Sequence, residues 1–136
     1  MQFVNFNSLP ETIKGIVQKE DFVGYVRVYY SYGKYSSRLF FKGSANGTVE
    51  EIKKAEEIGR KRYTEELQQA LSTVCEILFE ESNPGGRYEF YDFCEEHAFD
   101  KTEDGYMGYA YLAHSVFQIV VSESDSYFCR VYFYAR

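Results

Sequence analysis

The segment from Thr48 to Glu81 contains no proline and a single glycine, Gly59. It opens on Thr48-Val49-Glu50-Glu51, where a threonine hydroxyl and a glutamate three residues on can cap each other's backbone N–H groups. It ends before Asn83-Pro84-Gly85-Gly86, which stops a helix. Glu50/Lys54, Glu56/Arg60 and Glu57/Lys61 stand four residues apart with the acid first, the stabilising order. Ile52, Ala55, Tyr63, Leu67, Ala70, Leu71, Val74, Ile77 and Leu78 form an apolar stripe, sparse before Tyr63 and dense after it. The spacing predicts one long helix whose second half packs on a core and whose first half is solvated. At about 1.5 Å per residue such a helix spans roughly 50 Å, more than a compact domain of this size, so it projects, bends or breaks near Gly59. Residues 48–62 are also a candidate dimer arm.

The rest of the chain reads mainly as strands. Ser8 as cap, Pro10 in the first turn and Glu11 predict a short helix over about 9–19, with Leu9, Ile13, Ile16 and Val17 on its apolar face. Phe22–Tyr30 and Tyr35–Lys42 are rich in Val, Tyr and Phe and flank Ser31-Tyr32-Gly33-Lys34, a hairpin pattern. Arg87–Phe93 reads as a third strand, and 106–113 as a strand or a turn of helix. Residues 94–105 carry no assignment. Val116–Val121 and Tyr127–Tyr134 form a C-terminal hairpin around Glu123-Ser124-Asp125-Ser126. Segregated helices and strands imply an α+β domain over 1–136: an antiparallel sheet of about five strands packed on one long helix, with a short N-terminal helix.

Length and composition narrow the class. A chain of 136 residues can bury a core without staples. Its 14 Tyr and 12 Phe suit pleated sheets and contact surfaces. Cys75, Cys94 and Cys129 have no regular spacing, which speaks against a disulfide framework and for a reducing compartment. The first residues lack a basic region and an apolar run, and no apolar stretch approaches bilayer length. A cytoplasmic protein with no membrane partner is expected.

Catalytic and metal patterns are weak. Asp92-Phe93-Cys94-Glu95-Glu96-His97 offers metal-ligand types, but His114, Cys75 and Cys129 are isolated, whereas zinc usually takes two close pairs. Cys94/His97 and Cys129/His114 lack a nucleophile signature. Glu80/Glu81, Glu95/Glu96 and Glu103/Asp104 are adjacent acids of the kind found solvated at helix ends and in loops. Asn83-Pro84-Gly85-Gly86-Arg87 lacks the P-loop lysine, and Gly105-Tyr106-Met107-Gly108 has no dinucleotide fingerprint around it. No catalytic residue, metal or cofactor is expected.

Charge is the informative feature. Residues 1–62 hold 11 Lys/Arg against 7 Asp/Glu, and residues 63–136 hold 4 against 14, for a net −6. On the long helix, Lys53, Lys54, Arg60, Lys61 and Arg62 are interleaved with glutamates that offset their field. Direct nucleic-acid binding, which needs a basic surface, is therefore not expected. Between Glu76 and Asp104 ten acids face only Arg87 and Lys101, with Tyr88, Phe90, Tyr91, Phe93 and Phe99 among them. Charge can steer such a segment onto a basic groove while aromatics anchor it. The candidate partner-binding residues are Tyr88, Glu89, Tyr91, Asp92, Glu95, Glu96, Asp100, Glu103 and Asp104. The expected partner is a nucleic-acid-handling protein with a basic groove.

By type alone, a small acidic α+β chain without catalytic motifs resembles two groups. One is the inhibitors that phages and mobile elements carry against host defence nucleases, anti-CRISPR proteins among them. The other is the immunity proteins of toxin systems. The resemblance implies a non-enzymatic inhibitor that occupies its target's nucleic-acid site. The alternative is a small-ligand binding domain, in which Arg27, Arg38 and Arg130 alternate with aromatics on strands and could meet an anionic ligand.

Overall fold

The computed structural model describes residues 2–19, 22–31, 34–41, 48–62, 68–75, 87–111, 116–123 and 129–134. In chain order the elements are β1 (Gln2–Val4), a 3-10 turn (Phe6–Ser8), α1 (Glu11–Gln18), β2 (Phe22–Ser31), β3 (Lys34–Phe41), α2 (Val49–Arg62), α3 (68–75), α4 (Arg87–Glu96), β4 (Asp100–Lys101), β5 (Gly105–Tyr111), β6 (Val116–Ser122) and β7 (Cys129–Tyr134). The protein is α+β. Its strands pair antiparallel in the order β1-β5-β6-β7-β2-β3, with β4 added alongside β5. The C-terminal hairpin β6/β7 thus sits mid-sheet, flanked by β5 on one side and by the hairpin β2/β3 on the other.

Alternation along the strands separates two faces. One carries Val26, Val28, Phe117, Ile119, Val121, Cys129, Val131 and Phe133, and it packs on Ala70, Leu71 and Val74 of α3 and on Phe90, Phe93 and Cys94 of α4. The other face is covered at one end by α1, where Leu9, Ile13 and Val17 meet Tyr109, Val116 and Tyr134. Gln118 lies among these rings. Its amide donates to Tyr109 Oη at 3.1 Å and accepts from Tyr134 Oη at 3.0 Å. Phe99 lies so close over β5 that a Cβ on Gly108 would strike its ring.

Several expectations need correction. Arg87–Phe93 is not a strand but most of α4. Phe90, Phe93 and Cys94 are buried and Tyr91 is half-buried, a helical spacing that the high β-propensity of the aromatics masked. Ser8 does not cap α1. It closes the 3-10 turn capped by Asn5, and α1 begins after Pro10 with no side-chain cap. The sheet has more strands than expected, because β1 and β4 are too short to leave a local signal.

The Thr48/Glu51 box forms as expected, with Glu51 N–H donating to Thr48 Oγ1 and Thr48 N–H to Glu51 Oε2, each at 3.3 Å. Helix α2 runs through Gly59 to Arg62 and touches β2 and β3. Continuity from α2 to α3 and the stop at 83–86 lie outside the described residues. The layer on the core face is built from α3 and α4 together.

Helix α4 ends in a Schellman turn. Phe99 N–H reaches the Cys94 carbonyl at 2.9 Å, with Ala98 at φ 56°. A Cβ is disfavoured in this left-handed conformation. Ala98→Gly is expected to raise stability by about 0.5–1 kcal/mol, read as a higher urea midpoint at unchanged slope.

Candidate protein-interaction site

After the turn at Ala98 the chain enters β4, and α4 packs against β5. With Phe90, Phe93 and Cys94 inward, Asp92, Glu95 and Glu96 are left exposed. Thr102 closes the β4–β5 turn: its N–H donates to the Gly105 carbonyl at 2.9 Å and its hydroxyl accepts from Gly105 N–H at 3.1 Å. That holds Glu103 and Asp104 exposed at the tip. Tyr106 joins the two acidic groups, donating its hydroxyl to Glu95 Oε1 at 2.7 Å. The glutamate's acceptance of that bond, with burial second, pushes the phenol up to about 12.

Not every candidate residue is available to a partner. Asp100 is half-buried and its carboxylate accepts the Phe6 N–H at 3.2 Å, so it ties the N-terminal turn to β4. Tyr91 is half-buried against the Tyr106 ring, at 5.6 Å between centroids. Tyr88 and Glu89 lie on the first turn of α4, and their side chains fall outside the described residues. Glu123 is an acid that sequence reasoning passed over. Gly105 lies opposite Ser122, and Glu123 N–H donates to the Asp104 carbonyl at 2.7 Å, so a third exposed acid stands at the turn. Only strand register could have revealed it.

Of the residues with catalytic or metal-binding side chains, Cys94 and His97 are packed into the fold, and His114, Glu80 and Glu81 lie outside the described residues. Cys94 sits on the core side of α4, fully buried, and burial with Glu95 nearby pushes its thiol up to about 12. Such a thiol is a poor nucleophile and a poor metal ligand at neutral pH. His97 packs its ring between Phe93 and Phe3, at 4.3 and 5.2 Å. Among the described residues no three His, Cys, Asp or Glu side chains cluster as a metal site, and no helix is long and apolar enough to cross a membrane. None of the three cysteines is in a disulfide.

The arginines read as ligand candidates do come together. Arg38 lies opposite Arg27, and Arg27 opposite Arg130, on the face away from α3 and α4. Arg27 Nη2 donates to Tyr25 Oη at 3.2 Å and Arg130 Nη1 to Tyr132 Oη at 3.3 Å. Comparison with protein-family models, with curated proteins and with solved structures finds no match to this chain.

Proposed function

We propose that this protein is a non-enzymatic interaction module of the cytoplasm, an acidic inhibitor that occupies the basic nucleic-acid-binding surface of its target. By type it resembles the anti-defence inhibitors of phages and mobile elements, including anti-CRISPR proteins. One observation carries the reading: Asp92, Glu95, Glu96, Glu103 and Asp104 are all exposed on α4 and the neighbouring turn, and the Glu95–Tyr106 bond holds these elements together. Acids fixed on a rigid scaffold can meet a basic groove without the ordering cost of a flexible tail.

The test is charge reversal at four exposed acids: Asp92→Lys, Glu96→Lys, Glu103→Lys and Asp104→Lys combined. Tagged wild type should retain a stoichiometric protein from host lysate at low salt and lose it at high salt. The variant should retain none, with an unchanged far-UV spectrum and melting temperature. The captured protein should lose nucleic-acid binding when wild type is added. Equal capture by the variant sinks the assignment, and capture of a toxin nuclease makes the protein an immunity protein instead.

A further inference from the structure

The sheet face away from α3 and α4 carries a feature at its β3 edge that the acidic-surface reading leaves unused. Residues directly opposite on antiparallel strands share a face, with Cβ atoms about 4.5–5.5 Å apart. The register therefore sets Arg38, Arg27 and Arg130 in one row across β3, β2 and β7. Two residues along, Phe40, Tyr25 and Tyr132 form a second row. Arg38 is exposed and the other five are half-exposed.

Like charges placed opposite each other destabilise a sheet. Three arginines lined across neighbouring strands concentrate positive charge on one face, where an added anion is favoured. The aromatic row orients the guanidinium groups: that of Arg27 lies 4.5 Å and that of Arg38 5.3 Å from the Phe40 centroid. Tyr25 in turn stacks on Phe40 at 5.2 Å with 14° between planes, and Tyr132 lies 5.3 Å from Tyr25. A cationic row beside an aromatic row, both reaching solvent, is the chemistry that holds single strands. Arginines neutralise phosphates while rings stack on unpaired bases.

We propose that this face is a platform for single-stranded nucleic acid. The net charge of −6, which argued against nucleic acid, is a whole-chain quantity. Exposed charges are screened over about 8 Å at physiological salt. Strand β3 stands four strands from β5, about 19 Å at about 4.8 Å per strand, so the β4–β5 acids act weakly on Arg38 at the edge of the row. The platform is independent of the acidic interaction surface, and either can fail alone.

The test is fluorescence anisotropy with the full chain, a labelled oligouridylate of about 12 nucleotides and a duplex RNA of the same length. The single strand should bind in the micromolar range at about 50 mM salt, with log K falling against log salt at a slope of about −2 for three phosphates. The duplex should bind at least about ten-fold more weakly, since its bases cannot reach the rings. Arg38→Glu lies at an exposed position and should weaken single-strand binding at least about ten-fold, while its protein capture stays unchanged. Tyr132→Leu should weaken binding several-fold with the salt slope kept, as loss of a stacked base requires. No saturable binding up to about 100 µM protein overturns the proposal. So does binding by Arg38→Glu equal to wild type, or equal affinity for the duplex.

Discussion

Phe90→Ala should lower the stability of the domain by about 3–5 kcal/mol, the cost of emptying a fully buried phenylalanine site. Phe90 is 1% exposed, touches Phe93 at 5.9 Å between centroids and belongs to the core that α3, α4 and the sheet share. A domain of this size has roughly 5–15 kcal/mol in all, so the melting temperature should fall by roughly 10–20 °C. Urea titration should show a lower midpoint at unchanged slope. Its neighbour provides the contrast. Tyr91 is half-buried, and Tyr91→Ala should cost no more than about 1–2 kcal/mol. On a strand, Phe90 would share its face with Tyr88 and Asp92; on this helix it shares a face with Phe93 and Cys94. Phe93→Ala should therefore resemble Phe90→Ala, and Asp92→Ala should lie near zero. A cost below about 1 kcal/mol at Phe90 would mean that α4 does not form this layer.

The error over residues 87–93 shows where sequence reasoning stopped. Aromatics favour strands on average, and Tyr88, Phe90, Tyr91 and Phe93 cannot be split by composition. Only the pattern that adds Cys94 to Phe90 and Phe93 separates period 3.6 from period 2. Where strands alternate cleanly they were legible: β2, β3, β6 and β7 fall within one or two residues of expectation. The Thr48–Glu51 box was legible because it is local. Strand order was not. Nothing near β1 announces that Phe3 pairs with Ala110, since the contact spans nearly the whole chain.

The candidate site divides the same way. Exposure of Asp92, Glu96, Glu103 and Asp104 follows from acidic composition. The engagement of Asp100 by the Phe6 N–H depends on a contact 94 residues away in sequence. The arginine row was half-legible: each arginine stands between aromatics on its own strand, but only the register across three strands shows that they align.

Raising the pH above about 9 should destabilise the fold through its buried thiols. Burial, and secondarily Glu95, pushes Cys94 from 9.0 up to about 12; burial, with Cys75 and Cys94 adding, pushes Cys129 well above its ordinary value. In the unfolded chain both thiols release their protons near 8.5–9. Above that pH the folded state holds more protons than the unfolded one, so stability falls as pH rises. The contribution is complete below about pH 8.5 and drains away as pH climbs toward the folded values. At about 1.4 kcal/mol per pH unit, Cys94 alone should lose on the order of 2–3 kcal/mol by pH 11. Cys129 acts in the same direction. Tyrosines ionise in the same range, and Tyr106 and Tyr109, both raised, share the sign. The double variant Cys94→Ala, Cys129→Ala isolates the thiols. It should start about 1–2 kcal/mol less stable at pH 7, from two lost sulfur contacts. Its urea midpoint under reducing conditions should then fall more slowly with pH, so that the two curves cross before about pH 11 and the variant is the more stable beyond the crossing. Parallel curves from pH 7 to 11 would show that these thiols are not held neutral in the core.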